Sequence, residues 1–122
     1  MKHTFIIDKL EIKERHAGGI TILDLEGNII FGEGSAALRK EIRRLIEEGK
    51  DKLLLNLTNV SLIDSSGLGE LVSAFVAVNR VGGQTKLLNV TQNVHSLLGV
   101  TSLTAVFEIY DDESKALDAF KR

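Results

Sequence analysis

The chain has 122 residues, 15 basic and 17 acidic, with a formal charge of −2; 43% are hydrophobic and 26% charged. This is the length of one ordinary domain, residues 1–122, with apolar content for its own core and a charge balance that argues against a general nucleic-acid or anionic-membrane binder. There is no cysteine, which excludes disulfides, Cys-based zinc sites and thiol chemistry, and His3, His16 and His95 are scattered, so neither metal nor cofactor is expected.

No apolar run is long enough to span a bilayer, and the charged stretch MKHTFIIDKLEIKER has no signal-peptide h-region. The expected compartment is the cytoplasm. In chain order, Ile6 to Glu14 alternates, with Ile6, Asp8, Leu10 and Ile12 on one side, and predicts a short edge strand. Ala17-Gly18-Gly19 is a turn. Ile20 to Glu26 follows as a second strand, paired with the first as a hairpin and ended by Gly27. From Ser35 the period changes. Leu38, Ile42, Leu45 and Ile46 share one helical face, predicting a helix over 35–48 with Gly49 as its left-handed stop.

Lys52 to Leu57 is continuously apolar after its first residue apart from Asn56, as a central strand covered on both faces must be. Ser65 or Ser66 opens a second helix, predicted over 66–81 and stopped by Gly82-Gly83. Lys86 to Val90 is a further strand. Thr91 caps a short helix carrying Val94, Leu97 and Leu98, with Gly99 behind it. Val106 to Tyr110 is the last strand. Asp111 or Asp112 caps a helix over 113–121, with Ala116, Leu117 and Phe120 inward. Strands alternating with helices imply parallel neighbours and right-handed crossovers. The predicted fold is α/β: a mixed, mostly parallel sheet with an N-terminal antiparallel hairpin and about four helices.

Gly32-Glu33-Gly34-Ser35-Ala36-Ala37 matches a dinucleotide fingerprint in letters. The predicted strand ends five residues too early for it, and the strand after the helix carries Asn56 where a ribose-binding acid belongs, so a turn before a helix is the better reading. No P-loop and no nucleophile elbow exists. A hydrolase built on Ser65 or Ser66 lacks a placed base and an oxyanion loop; His95 is expected on the outer side of its short helix. The basic face Arg39, Lys40, Arg43 and Arg44 reads as a solvated surface paired i to i+4, Arg43 with Glu47 and Arg44 with Glu48. No catalytic residue is expected.

The segment from Val60 to Val72 stands apart. Gly67 and Gly69 fall in the first turn of the predicted helix, where each costs about 1 kcal/mol against alanine. On a helical wheel Leu68, Leu71, Val72, Phe75, Val76, Val78 and Val81 occupy a broad inward arc. The remaining strip holds Ser66, Gly69, Glu70, Ser73, Ala77 and Arg80. Gly69, Ser73 and Ala77 recur at i, i+4 and i+8, a run of small residues that lets another surface approach closely.

Ile63-Asp64-Ser65-Ser66-Gly67-Leu68-Gly69 resembles the signature of STAS domains, specifically the bacterial anti-sigma factor antagonists. The resemblance extends through Leu25-Glu26-Gly27, Leu53 to Leu57, Gly82-Gly83 before Leu87 to Val90, and Val94 to Leu98 before Val106-Phe107. It implies a non-enzymatic binding switch. The unphosphorylated domain would bind an anti-sigma factor that is itself a serine kinase of the histidine-kinase-like ATPase type, releasing a sigma factor. The kinase would phosphorylate the serine after the motif aspartate, here Ser65, and a PP2C-type phosphatase would reverse it. The docking surface would comprise Asp64, Ser66, Gly67, Gly69, Glu70, Ser73, Ala77 and Arg80. Ser66 is expected as the helix cap, leaving Ser65 free. Two positions near the phosphorylated loop in that family depart from its usual acids: Asn56 and Ile30. The alternative is a STAS scaffold that does not switch, or a transport-associated STAS module. The sequence carries no signal for a particular oligomeric state.

Overall fold

Side-chain alternation and a two-glycine tip make the opening hairpin. β1 (Leu10–Ala17) runs antiparallel to β2 (Ile20–Ile29), from Leu10 opposite Gly27 to Ala17 opposite Ile20. The structure, a computed structural model, describes residues 9–121; the Ile6–Asp8 part of the predicted first strand lies outside them. After the hairpin come α1 (Glu33–Glu47), β3 (Lys52–Ile63), α2 (Ser65–Arg80), β4 (Gln84–Leu88) and α3 (Gln92–Val100). A 3₁₀ turn (Leu103–Ala105), β5 (Ile109–Tyr110) and α4 (Glu113–Ala119) complete the order.

The sheet order is β1-β2-β3-β4-β5, and every neighbour after the hairpin is parallel. The strands are laid down in one direction, so right-handed crossovers put α1, α2 and α3 on one face. There Leu23, Leu25, Leu53, Leu55, Leu57 and Leu87 of the sheet meet Leu38, Leu45, Leu71, Val78, Val94 and Leu98 of the helices. On the opposite face Ala116 and Phe120, at the end of the chain, pack on Ile20, Ile22, Leu54 and Leu88. Leu53, Leu54 and Leu55 are therefore wholly buried, pointing alternately to the two cores. The predicted class, hairpin and four helices are all present.

Several boundaries differ from the expectations. β2 does not end at Gly27; it passes through an irregular register there and continues to Ile29. Gly27 sits at φ 118°, and a Cβ would fall 2.4 Å from the Lys9 carbonyl oxygen. β3 outruns its prediction by six residues because its second half, polar at Thr58, Asn59 and Ser61, pairs only with β2. The buried face of α2 is narrower than the wheel arc: Leu68, Leu71, Ala74 and Val78 are inside, whereas Val76 and Val81 are 41% and 51% exposed. A helix resting on one sheet face buries only the stripe that touches it. α3 continues through Gly99, and the last strand shrinks to two residues. Phe107, placed in that strand by the sequence, instead packs edge-on against Phe75 of α2, with ring centroids 5.5 Å apart. Thr91 caps α3 as predicted, and of the two candidates for α4 it is Asp112 that accepts from the Lys115 N–H.

Beyond α4 the second face carries a chain of polar contacts. The Asn89 amide donates to the Thr58 hydroxyl (2.9 Å), which donates to the Asn56 carbonyl oxygen (2.6 Å). The Asn56 amide donates to Asp24 (2.8 Å). Arg15 binds Asp24 through two nitrogens and reaches Glu113 at the start of α4 (2.7 Å). The Arg15 guanidinium, helped by the Asn56 amide, holds the Asp24 carboxyl below the usual range.

Candidate functional site

β2 and β3 are adjacent and parallel, so the segments that follow them emerge side by side at one edge of the sheet. Asp64, between β3 and α2, ties them together. It has extended backbone geometry and is the N-cap of α2. Its Oδ1 accepts from the Gly67 N–H (2.9 Å) and its Oδ2 from the Phe31 N–H (3.0 Å). Its own N–H donates to the Ile29 carbonyl (3.4 Å). Partial burial pushes the Asp64 carboxyl up, but the donors of Phe31, Gly67 and Ser66 outweigh it and hold the group below its usual value.

The same junction explains Gly67. A Cβ there would lie 1.7 Å from the Ile29 carbonyl oxygen, so β2 can pass this close only to a bare backbone. Gly69 differs: nothing stands within 4 Å of a Cβ built on it. On the other side of the junction the Ile30 carbonyl accepts both the N–H and the hydroxyl of Ser35, at 3.0 and 2.8 Å. These contacts account for the fingerprint-like glycines. β2 ends only three residues before α1, closer than expected, but Gly34 and Ser35 are buried and the Ser35 and Ala36 N–H groups close onto Ile30 and Gly32. They are occupied donors, not a phosphate cradle.

Ser65 is exposed and is the first residue of α2. The expectation that Ser66 caps the helix is corrected: Asp64 does so, and Ser66 is a half-buried residue of the first turn. The Asp64 carboxylate already occupies the Gly67 N–H and draws on that of Ser66, so these N–H groups are not free to hold an anion.

The predicted strip on α2 divides. Gly69, Ser73 and Arg80 are exposed, while Glu70 and Ala77 are half-buried. Glu70 takes two hydrogen bonds from Arg39 of α1, at 2.5 and 2.9 Å. Glu70, Ser73 and Ala77 line one side of a shallow groove of about 250 Å³, with Arg39, Ile42 and Ile46 opposite. On α1 the Arg44–Glu48 pair forms at 2.7 Å, and Arg44 also reaches Glu14 of β1 and Glu41. No Arg43–Glu47 pair forms; Arg43 is exposed and lines the same groove as Arg39. His95 is exposed on α3.

Asn56 is not beside the junction of Asp64 and Ser65. It lies seven residues before Ile63, on the order of 20 Å of strand path, and faces Asp24. Ile30 is beside it, through Phe31 and Asp64. Sequence reasoning missed Phe31 and the capping role of Asp64. Asp64 as cap was available from its residue type, since aspartate is a preferred N-cap. Phe31, 78% exposed, carried no periodic signal. Among the described residues no group of side chains is arranged to hold a metal ion, and no helix is long and apolar enough to cross a membrane.

The model of the STAS domain matches residues 11–116. The chain is 31% identical over 109 residues to the anti-sigma F factor antagonist of Paenibacillus polymyxa, covering 88% of this chain and 92% of that protein. An anti-sigma factor antagonist from Mycobacterium paratuberculosis superposes with a TM-score of 0.81 at 18% identity, over 94% of this chain and 97% of that one. The Bacillus cell-fate determinant SpoIIAA in its phosphorylated form superposes with a TM-score of 0.71 at 21% identity, over 89% and 98%. These two structures share the fold.

Proposed function

The chain belongs to the STAS domain family, and from that premise we propose that it is an anti-sigma factor antagonist switched by phosphorylation of Ser65. Unmodified, it binds an anti-sigma factor that is also a serine kinase, and a sigma factor is set free. The kinase transfers a phosphoryl group from ATP to the Ser65 Oγ, binding is lost, and a PP2C-type phosphatase restores the hydroxyl. No catalytic group of this chain is needed, because the kinase and phosphatase supply the chemistry.

The observation that carries this reading is the position of Ser65. It is exposed at the first position of α2, directly after an aspartate whose carboxylate has already taken the nearby backbone donors. A phosphate there brings about −1.5 to −2 charges beside an ionised carboxylate. With those donors occupied, the added charge stays on the surface and alters it without unwinding the helix. Asn56 contributes to the sheet through Asp24, so its difference from the family's usual acid is accommodated away from Ser65.

The test is to incubate the chain with ATP and each histidine-kinase-like anti-sigma factor of its source genome. Phosphate is then localised by tandem mass spectrometry. One phosphate on Ser65, absent in Ser65→Ala, and loss of binding on modification are expected. Phosphate on Ser66, or undiminished in Ser65→Ala, overturns the assignment. Binding without any phosphorylation favours a scaffold that does not switch.

A further inference from the structure

The loop between β2 and α1 is held by its backbone, yet it delivers a large apolar ring to water. Ile29 is wholly buried, and its carbonyl accepts from Asp64. The Ile30 carbonyl accepts two bonds from Ser35. The Phe31 N–H is fixed on the Asp64 carboxylate, and the Phe31 side chain is 78% exposed. Leu62, which pairs with Asn28 next to the end of β3, is a second exposed apolar residue at this edge. Ile29, Ile30, Phe31 and Gly32 make these bonds through backbone atoms, and none of the bonds uses the Phe31 ring. With its backbone fixed, such a side chain has only its own rotamer freedom to lose when a partner covers it.

Resting on the antagonist reading above, we infer that Phe31 is the apolar anchor of the partner interface, entering an apolar pocket on the anti-sigma factor beside the Ser65 hydroxyl. The backbone of Phe31 is bonded to the residue that precedes Ser65, so anchor and switch share one rigid junction. This gives the phosphate its leverage. A hydrated dianion at the mouth of an apolar pocket must be desolvated for the ring to seat. Apolar fit thus selects the partner, and charge on Ser65 vetoes it.

The experiment is calorimetric titration of the anti-sigma factor with wild type, Phe31→Ala and Phe31→Leu, at low salt and at about 0.5 M salt. Phe31→Ala is expected to weaken binding about thirtyfold, as for a central hot spot, with Phe31→Leu retaining most of the affinity. The loss should be equal at both salt concentrations, and the thermal midpoints of the three proteins should coincide. Wild-type binding with Phe31→Ala within about threefold of it overturns the anchor alone. So does a loss that vanishes at high salt, which would assign the effect to charge. Failure of the wild type to bind any anti-sigma factor overturns the antagonist reading, and the anchor with it.

Discussion

Gly67 and Gly69 stand two residues apart in α2 and meet opposite surroundings. The sequence marks both as costly in a first helical turn, but composition alone cannot say which one is required. The carbonyl of Ile29 decides it. Gly67→Ala should destabilise the fold by about 3 kcal/mol or more, since the clash is with backbone that side-chain adjustment cannot relieve. Gly69→Ala should stabilise it by about 0.5–1 kcal/mol. Urea unfolding of the two variants checks this, and equal effects would contradict it. Asp64 gives a pH prediction at the same scale. Its folded-state value is depressed from the ordinary 3.8, so its contribution is complete above that value and is lost as pH falls through the lower, folded-state value. Asp64→Asn should therefore cost about 1 kcal/mol at neutral pH. The deficit should narrow below the ordinary value and close once wild-type Asp64 is protonated, as thermal unfolding across pH would show.

At the scale of elements, α2 is legible in part. Its start to within a residue, its stop before Gly82-Gly83 and its small-residue strip follow from Ser65 through Gly83, but its cap is Asp64 and not Ser66, and Val76 and Val81 lie outside the buried stripe. The wheel assigns every apolar residue to one side because apolar character, not contact, defines the arc. The contacts belong to the sheet beneath and to α1 beside it, which periodicity within α2 does not encode. α1 brings Ile42 and Ile46 to the groove opposite Ser73 and Ala77. On the antagonist reading, Ser73→Arg or Ala77→Arg should leave the fold intact and weaken partner binding by about 2 kcal/mol if the groove is central to the contact. Circular dichroism with calorimetry tests both halves; folded variants with unchanged affinity would remove α2's groove face from the interface.

For the whole molecule, the architecture was legible because two signals agree. Strands alternate with helices, and the run around Leu53–Leu55 is apolar on both faces. The polar chain from Asn89 through Thr58, Asn56, Asp24 and Arg15 to Glu113 was not legible. Its members come from three strands, the residue just after β4 and a helix, and nothing in any one segment announces the others. Asn56 shows the consequence. The family resemblance puts its position near the phosphorylated loop, but the register of β2 and β3 sets it opposite Asp24. Phe31 was hidden for a related reason: its backbone is bonded to Asp64, 33 residues further on.

The antiparallel hairpin has a practical bearing on how this molecule is handled. Because β1 runs opposite to β2, Lys9 lies against Gly27 and bonds to Asn28, just before the Ile29–Gly32 turn. Phe120 and Lys121 lie at the other end, beside Ala17, Gly18 and Lys52. A linker fused directly at Lys9 would therefore begin beside the Asp64 junction, whereas one fused after Lys121 would begin across the domain from it. On the antagonist reading, sensor-chip capture through a tag after Lys121 should preserve partner binding, and capture through a short linker fused at Lys9 should impede it. Equal responses in the two orientations would show that the partner approaches from a side that Lys9 does not screen.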